Sequence, residues 1–133
     1  MNEFNYNKDI KKRDTIIFGE YNPRLYGGGI RCFYDLSINQ LKELIENNFI
    51  DLKECHNDAP PVSVFYNFMQ KYPNYIASGY VVSIDREDYG TNLVGLNQNN
   101  GYKSRKELEE FHDLFRCADE FEVSKFNMSC WFD

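Results

Sequence analysis

The densest group of reactive side chains in this sequence is the run of Cys55, His56 and Asp58 within four residues. A thiol, an imidazole and a carboxylate are the groups of a cysteine-dependent hydrolase or transferase, in which the imidazole activates the thiol and the carboxylate orients the imidazole. Such groups usually come from distant segments, because neighbouring side chains seldom point at one substrate. We therefore interpret the run as an ordinary turn. Catalysis by Cys55, His56 and Asp58 stays the alternative hypothesis.

Other patterns that could support cofactor chemistry lack the required spacing. The two histidines, His56 and His112, have no neighbouring ligands at the spacing of a zinc site. The carboxylates of Asp85, Glu87 and Asp88 could bind a hard cation or perform acid–base chemistry, but they lack the D-x-D-x-D-G pattern of a calcium loop. We therefore expect no metal and no cofactor.

A second alternative is a pocket for a small ligand, formed by four tyrosines at the ends of predicted elements. Phenol rings give apolar walls with a few hydroxyl groups, which suits a small-molecule site. Tyrosines at the ends of helices and strands are more often boundary residues, and this hypothesis ranks last. The four residues are Tyr66, Tyr72, Tyr75 and Tyr80.

The charge of the chain is concentrated in one segment. Between positions 107 and 122, seven acidic residues face a single base, Arg116, and this imbalance equals the net charge of −6 of the whole chain. Such a surface attracts a basic partner and speeds the encounter with it. Trp131 could add an aromatic anchor, since Trp is enriched at interface hot spots. The predicted partner-binding residues are Glu107, Glu109, Glu110, Asp113, Asp119, Glu120, Glu122 and Trp131.

Several classes of partner are disfavoured by composition. Binding to nucleic acid depends on clustered Lys and Arg, and the one basic cluster, at 11–13, is neutralised by Asp9 and Asp14. No window reaches the roughly 18 apolar residues that a membrane span needs. The first 14 residues alternate charged residues with Asn and lack the apolar region of a secretory signal. We expect a cytoplasmic protein with four reduced cysteines, and the oligomeric state stays open.

Hydrophobic periodicity predicts eight elements after this polar arm. The run of Thr15 to Phe18 indicates a short strand, and 29–36 indicates a second. Apolar residues at helical spacing predict a helix over 38–48 with Ser37 as its N-cap, and a second helix from Pro60 to Pro73. A hairpin of 75–85 with 89–96, a helix after the S-x-x-E capping box at 104–107 and a strand within 120–132 complete the set.

The resulting order, β-β-α-α-β-β-α-β, predicts an α+β fold. We expect a two-layer sandwich in which three helices cover one face of a mostly antiparallel sheet. The domain would span residues 15–133, preceded by a flexible polar arm of residues 1–14. Eleven Phe, ten Tyr and one Trp predict an interior rich in aromatic rings.

Four short segments resemble those of uncharacterised small bacterial proteins of gut anaerobes. They are NDAP at 57–60, the stretch 65–73, GYVVS at 79–83 and CWFD at 130–133. The resemblance implies a bacterial cytosolic origin and assigns no activity and no functional residue. From the residues themselves, we predict a non-enzymatic protein-binding domain of the immunity or inhibitor type, which uses an acidic helical surface against a basic protein.

Overall fold

The structure is a computed structural model and describes residues 4–83, 90–98, 104–124 and 127–133. Within these ranges the chain forms four α-helices and five β-strands. The α+β class is confirmed, but the prediction of three helices in the order β-β-α-α-β-β-α-β is wrong, because the described chain begins with a helix and ends with two strands. In chain order the elements are α1 (Ile10–Phe18), β1 (Ile30–Leu36), α2 (Ile38–Glu46), α3 (Val62–Lys71), β2 (Ile76–Val82), β3 (Thr91–Gln98), α4 (Arg105–Phe115), β4 (Glu120–Val123) and β5 (Met128–Trp131).

The five strands form one antiparallel sheet in the order β1-β2-β3-β5-β4. The predicted pairing of β2 with β3 is confirmed, with Ala77 opposite Leu96. The single strand predicted for the tail is replaced by a hairpin, in which β5 turns back and inserts between β3 and β4. This hairpin decides which of the predicted partner-binding residues share a surface.

The strand predicted over residues 15–18 is wrong, because these residues form the second half of helix α1. The buried residues of α1 are Ile10, Arg13, Asp14 and Ile17. Their spacing of three and four residues is that of one helix face. The pattern is hidden in the sequence, since two of the four are charged residues that normally face solvent. The boundary predicted after residue 14 therefore falls inside a helix.

Arg13 and Asp14 are buried because they satisfy each other and a tyrosine. Arg13 Nε donates to Asp14 Oδ1 at 2.9 Å, and Arg13 Nη2 donates to the hydroxyl of Tyr26 at 2.8 Å. The Tyr26 hydroxyl in turn donates to Asp14 Oδ2. Burial raises the pKa of Tyr26, and the hydrogen bond to Asp14 raises it further. The cluster anchors α1 to the segment before β1.

Helices α2 and α4 begin where the sequence predicts, whereas α3 begins at Val62, two residues after the predicted start at Pro60. Ser37 caps α2 in a complete capping box with Gln40. Helix α3 follows Pro61, whose fixed φ suits a helix start. Ser104 Oγ accepts from the backbone N–H of Glu107 at 3.2 Å and caps α4. Side-chain caps thus fix the N-terminal ends of α2 and α4.

The core lies between the helices and one face of the sheet. Phe68 of α3 packs its ring 5.8 Å from Phe111 and 5.4 Å from Phe115 of α4, measured between centroids. The sheet contributes the buried side chains of Phe33, Leu36, Ala77, Val81, Leu93, Leu96, Met128 and Cys130. The interior is rich in aromatic rings, as predicted. None of the described helices is both long and apolar enough to cross a membrane.

Candidate functional site

The second face of the sheet, which we call the outer face, carries the predicted aromatic anchor. Along β5, Met128 and Cys130 are buried among the core residues. Side chains alternate between the two faces of a strand, so Ser129 and Trp131 lie on the outer face. Tyr34 of β1 is 61 % exposed, and solvent therefore reaches this side of the sheet.

The same alternation divides the predicted acidic residues between two surfaces. Phe121 of β4 faces α4, with its ring centroid 5.5 Å from that of Phe111. Its neighbours Glu120 and Glu122 therefore lie on the outer face, where they pair across the ladder with Trp131 and Ser129. The single acidic helical surface expected from the sequence is corrected accordingly: the acids of α4 lie on the opposite side of the sheet from those of β4.

The acids on α4 are mostly occupied by bases of the same chain. Glu109 accepts from Arg105 at 2.9 Å, and Glu110 accepts from Lys71 at 2.7 Å. The hydrogen bond from Lys71 lowers the pKa of Glu110. Asp113 is the most exposed of the three, with its side chain 75 % exposed beside His112.

Glu107 is buried and does not offer its carboxylate to a partner. The Tyr75 hydroxyl donates to Glu107 Oε2 at 2.8 Å, and Gln98 Nε2 approaches the same oxygen at 3.5 Å. Because the Glu107 side chain is directed into the protein, Glu107 contributes only its backbone N–H to the cap at Ser104. Burial raises the pKa of Tyr75, and the hydrogen bond to Glu107 adds to the increase.

On the outer face, the rings of Tyr34 and Trp131 stack on each other. Their centroids are 6.4 Å apart and their planes differ by 16°, although β2 and β3 separate their strands. Ser78 and Gly95 pair with each other in the two intervening strands. A Cβ atom added at Gly95 would lie 3.3 Å from Trp131 Cε3, which shows that the indole rests against this glycine. These two small residues leave room for the rings of Tyr34 and Trp131, which we call the aromatic platform.

The orientation of Trp131 is fixed by the residues around Asp133. Trp131 Nε1 donates to Asp133 Oδ1 at 3.0 Å, and the backbone N–H of Asp133 donates to Asp119 Oδ2 at 2.8 Å. Asp119 therefore holds the end of β5 in place, in addition to adding negative charge. These bonds leave the indole as a pre-positioned surface.

A depression of about 160 Å³ lies beside Trp131 on the outer face. Among the residues that the structure describes, Asn97 is notable there, because its Oδ1 atom is buried and has no hydrogen-bond partner. Glu120 lines the same depression and is exposed, and no contact between described residues pairs its carboxylate with a base. The depression is lined by Ser78, Leu96, Asn97, Glu120, Ser129, Cys130 and Trp131.

The structure does not assemble the alternative catalytic group. Cys55 is exposed and its Sγ contacts the carbonyl oxygen of Lys53 at 3.7 Å. His56 Nδ1 lies 3.3 Å from the Tyr80 hydroxyl, and no contact between described residues joins it to Cys55. Asp58 is exposed. Residues 56–59 form a turn closed by the hydrogen bond from the Ala59 N–H to the His56 carbonyl oxygen at 2.8 Å, and Asn57 within it has the left-handed φ of 49° that Asn tolerates.

The four tyrosines of the small-ligand hypothesis do not line one pocket. The rings of Tyr72 and Tyr75 pack on Phe68 in the core, at centroid distances of 5.0 and 4.8 Å. Tyr80 contacts His56, and it alternates with the core residue Val81 of β2. Tyr66 packs separately against the core. The side chains therefore lie in different surroundings.

Metal binding receives no support from the part of the chain described. Across residues 4–83, 90–98, 104–124 and 127–133, no three His, Cys, Asp or Glu side chains are grouped so as to hold a metal ion. The carboxylates of Asp85, Glu87 and Asp88 lie outside the described residues.

The predicted set of partner-binding residues includes Trp131, Glu120 and Glu122 but lacks their neighbours on the outer face, Tyr34 and Asn97. Alternating positions in β5 could have indicated Ser129 beside Trp131, whereas Tyr34 and Asn97 come from strands whose order is not encoded locally. Comparison of the sequence with protein-family models, with curated proteins and with solved structures found no match to this chain.

Proposed function

We propose that this chain is a non-enzymatic protein-binding domain whose outer face recognises a basic protein surface. The observation that carries the proposal is the position of Glu120, which lies directly across the ladder from Trp131. An exposed carboxylate without a base beside it attracts a cation, and an adjacent aromatic face adds cation–π attraction. The stacked ring of Tyr34 extends that aromatic surface.

The outer face is favoured over α4 because the acids of α4 are mostly paired with bases of the same chain. On α4, Arg105 and Lys71 already pair with Glu109 and Glu110. A partner would have to displace these pairs, whereas no base within the described ranges pairs with Glu120. Among the residues that the structure describes, Glu122 accepts from a neutral donor, Asn127 Nδ2, at 2.8 Å, and no described base pairs with its carboxylate. A role of the immunity or inhibitor type would follow if the partner is a cationic enzyme.

The proposal is tested by selecting binders from a random peptide library on the immobilised protein. We expect the selected peptides to be rich in Arg and Lys, and their affinity to fall as salt is added, because exposed charges are screened. The key variant is the double reversal E120K/E122K on the outer face. Its matched control is E109K/D113K, which makes the same change of charge on exposed positions of α4.

Loss of peptide binding in E120K/E122K, with binding retained in E109K/D113K, would support the outer face as the binding surface. Loss only in E109K/D113K would move the site to α4 and reject this location. Peptides that bind both variants equally, or show no preference for basic residues, would reject recognition of a basic partner. The far-ultraviolet circular dichroism of each variant checks that the fold is kept.

A further inference from the structure

We infer that the depression beside Trp131 is a subsite for a single guanidinium group, the head of one arginine side chain. The proposed function supplies the source of that arginine, which is the basic partner. The recognition of the guanidinium group itself rests on separate observations of shape, hydrogen bonding and charge.

The size of the depression suits one side chain and excludes larger ligands. Its volume of about 160 Å³ is below the roughly 300–1,000 Å³ typical of small-molecule sites. Ser129 lies between Asn97 on β3 and Glu122 on β4, opposite both in the ladder. Two strand spacings of about 4.8 Å separate the outer strands, so a planar group can lie above this small floor residue.

The hydrogen-bonding capacity of the depression calls for a donor. Asn97 lines the depression, and its Oδ1 atom is buried without a partner among the described residues, so rotation of the amide toward the depression would let a donor remove the desolvation cost of that atom. Glu120 contributes a second acceptor with a full negative charge. A ligand with several N–H groups and a positive charge would therefore satisfy the acceptor of Asn97 and neutralise the carboxylate of Glu120.

A guanidinium group meets these requirements better than an ammonium group. It carries five N–H donors in one plane, so it can donate to Asn97 and Glu120 together. The same plane can stack on the indole of Trp131, which is held in place through Asp133. A lysine ammonium is a compact charge on a flexible stem and cannot bridge separated acceptors while it stacks.

The experiment is a titration of the isotope-labelled protein with N-acetyl-arginine methylamide, followed by nuclear magnetic resonance. We expect the side-chain amide signals of Asn97 and the indole N–H signal of Trp131 to shift and saturate. The corresponding citrulline compound has nearly the same shape without the charge, and it should bind about tenfold more weakly or less. Equal binding of the citrulline or the lysine compound would overturn a guanidinium subsite, as would unchanged signals of Asn97.

Two variants at Ser129 test the location. S129L fills the depression with an apolar side chain and should abolish the shifts, whereas S129A keeps the space and should preserve them. If S129L binds the arginine compound as the wild type does, the subsite is not in this depression.

The outcomes separate this inference from the proposed function. Selected peptides that depend on Glu120 and Glu122 but are indifferent to S129L would leave the proposed function standing and reject the subsite. Saturable binding of the arginine compound at Asn97, together with no peptide binding sensitive to E120K/E122K, would retain the subsite and reject recognition of a basic protein.

Discussion

The hydroxyl group of Tyr75 donates a 2.8 Å hydrogen bond to the carboxylate of Glu107, and both side chains lie inside the protein. The bond joins the chain just before β2 to the first turn of α4. Glu107, which the sequence predicts to lie on a partner-binding surface, is therefore buried at the edge of the core. A buried carboxylate is tolerated only when donors satisfy it.

Replacing Tyr75 with Phe removes the donor and leaves the carboxylate of Glu107 with fewer partners. We expect Y75F to lower the free energy of unfolding by about 1–3 kcal/mol, the cost of an unsatisfied buried polar group. Denaturation by urea measures the change. The control Y34F alters an exposed hydroxyl and should change stability by less than about 0.5 kcal/mol. Equal stability of Y75F and the wild type would contradict the role given to this bond.

Stability should also fall at alkaline pH. The folded state raises the pKa of Tyr75 above its ordinary value of 10.0, and it raises the pKa of Cys130 from 9.0 to about 12. The unfolded chain therefore loses these protons at lower pH than the folded chain does. Their stabilising contribution is complete below pH 9. As the pH rises it declines first because Cys130 titrates in the unfolded chain and then because Tyr75 does, and it is lost as the pH passes the pKa values of the two groups in the folded state.

The expected loss reaches about 1.4 kcal/mol per pH unit for each group that titrates only in the unfolded chain. Urea denaturation between neutral pH and about pH 11 measures it. Above pH 10 the decline should be shallower in Y75F than in the wild type, since one titrating group is gone. Parallel curves for the two proteins would show that Tyr75 does not contribute to the pH dependence.

The stacked pair of Tyr34 and Trp131 makes a spectroscopic prediction. Trp131 is the single tryptophan of the chain. Y34A should remove the neighbouring ring and expose more of the indole to water, shift its fluorescence emission to longer wavelength and change stability by less than about 1 kcal/mol, because Tyr34 is largely exposed. Y34F keeps the ring and should keep the wild-type emission. Unchanged emission in Y34A would mean that the two rings do not stack in solution.

Gly95 should be indispensable for the aromatic platform. A Cβ at this position would lie 2.4 Å from the carbonyl oxygen of Cys130, a clash with backbone that only movement of β5 could relieve. We expect G95A to lose about 1–3 kcal/mol or more and to change the emission of Trp131. The control G27A places its Cβ in open space and should be nearly neutral. A stable G95A protein with native emission would refute this packing.

Helices and their caps were predictable because their signals are local. Ser37 and Ser104 lie next to the apolar periodicity of the helices that they start, and both cap as expected. Helix α1 was missed because Arg13 and Asp14 occupy its buried face. Their burial depends on Tyr26, a contact that no local pattern reveals.

The surface was harder to predict than the elements. Reading 120–132 as one strand concealed the turn that places Glu120 beside Trp131, and charge density alone could not separate the two faces of the sheet. The partner-binding set predicted from the sequence includes Glu120, Glu122 and Trp131, and the structure brings these three together on the outer face. Tyr34 reaches Trp131 only because the strand order brings β1 within range, which is a property of the tertiary fold.

The four cysteines provide a prediction that also tests the enzymatic alternative. Cys32, Cys55 and Cys117 are exposed, whereas Cys130 is buried and burial raises the pKa of its thiol to about 12. Since the thiolate is the reactive form, iodoacetamide should modify the three exposed residues in the folded protein and Cys130 only after unfolding. Peptide mapping by mass spectrometry assigns each site. Much faster modification of Cys55 than of Cys32 and Cys117 would revive a catalytic thiol, because an activated nucleophile would stand apart from equally accessible neighbours.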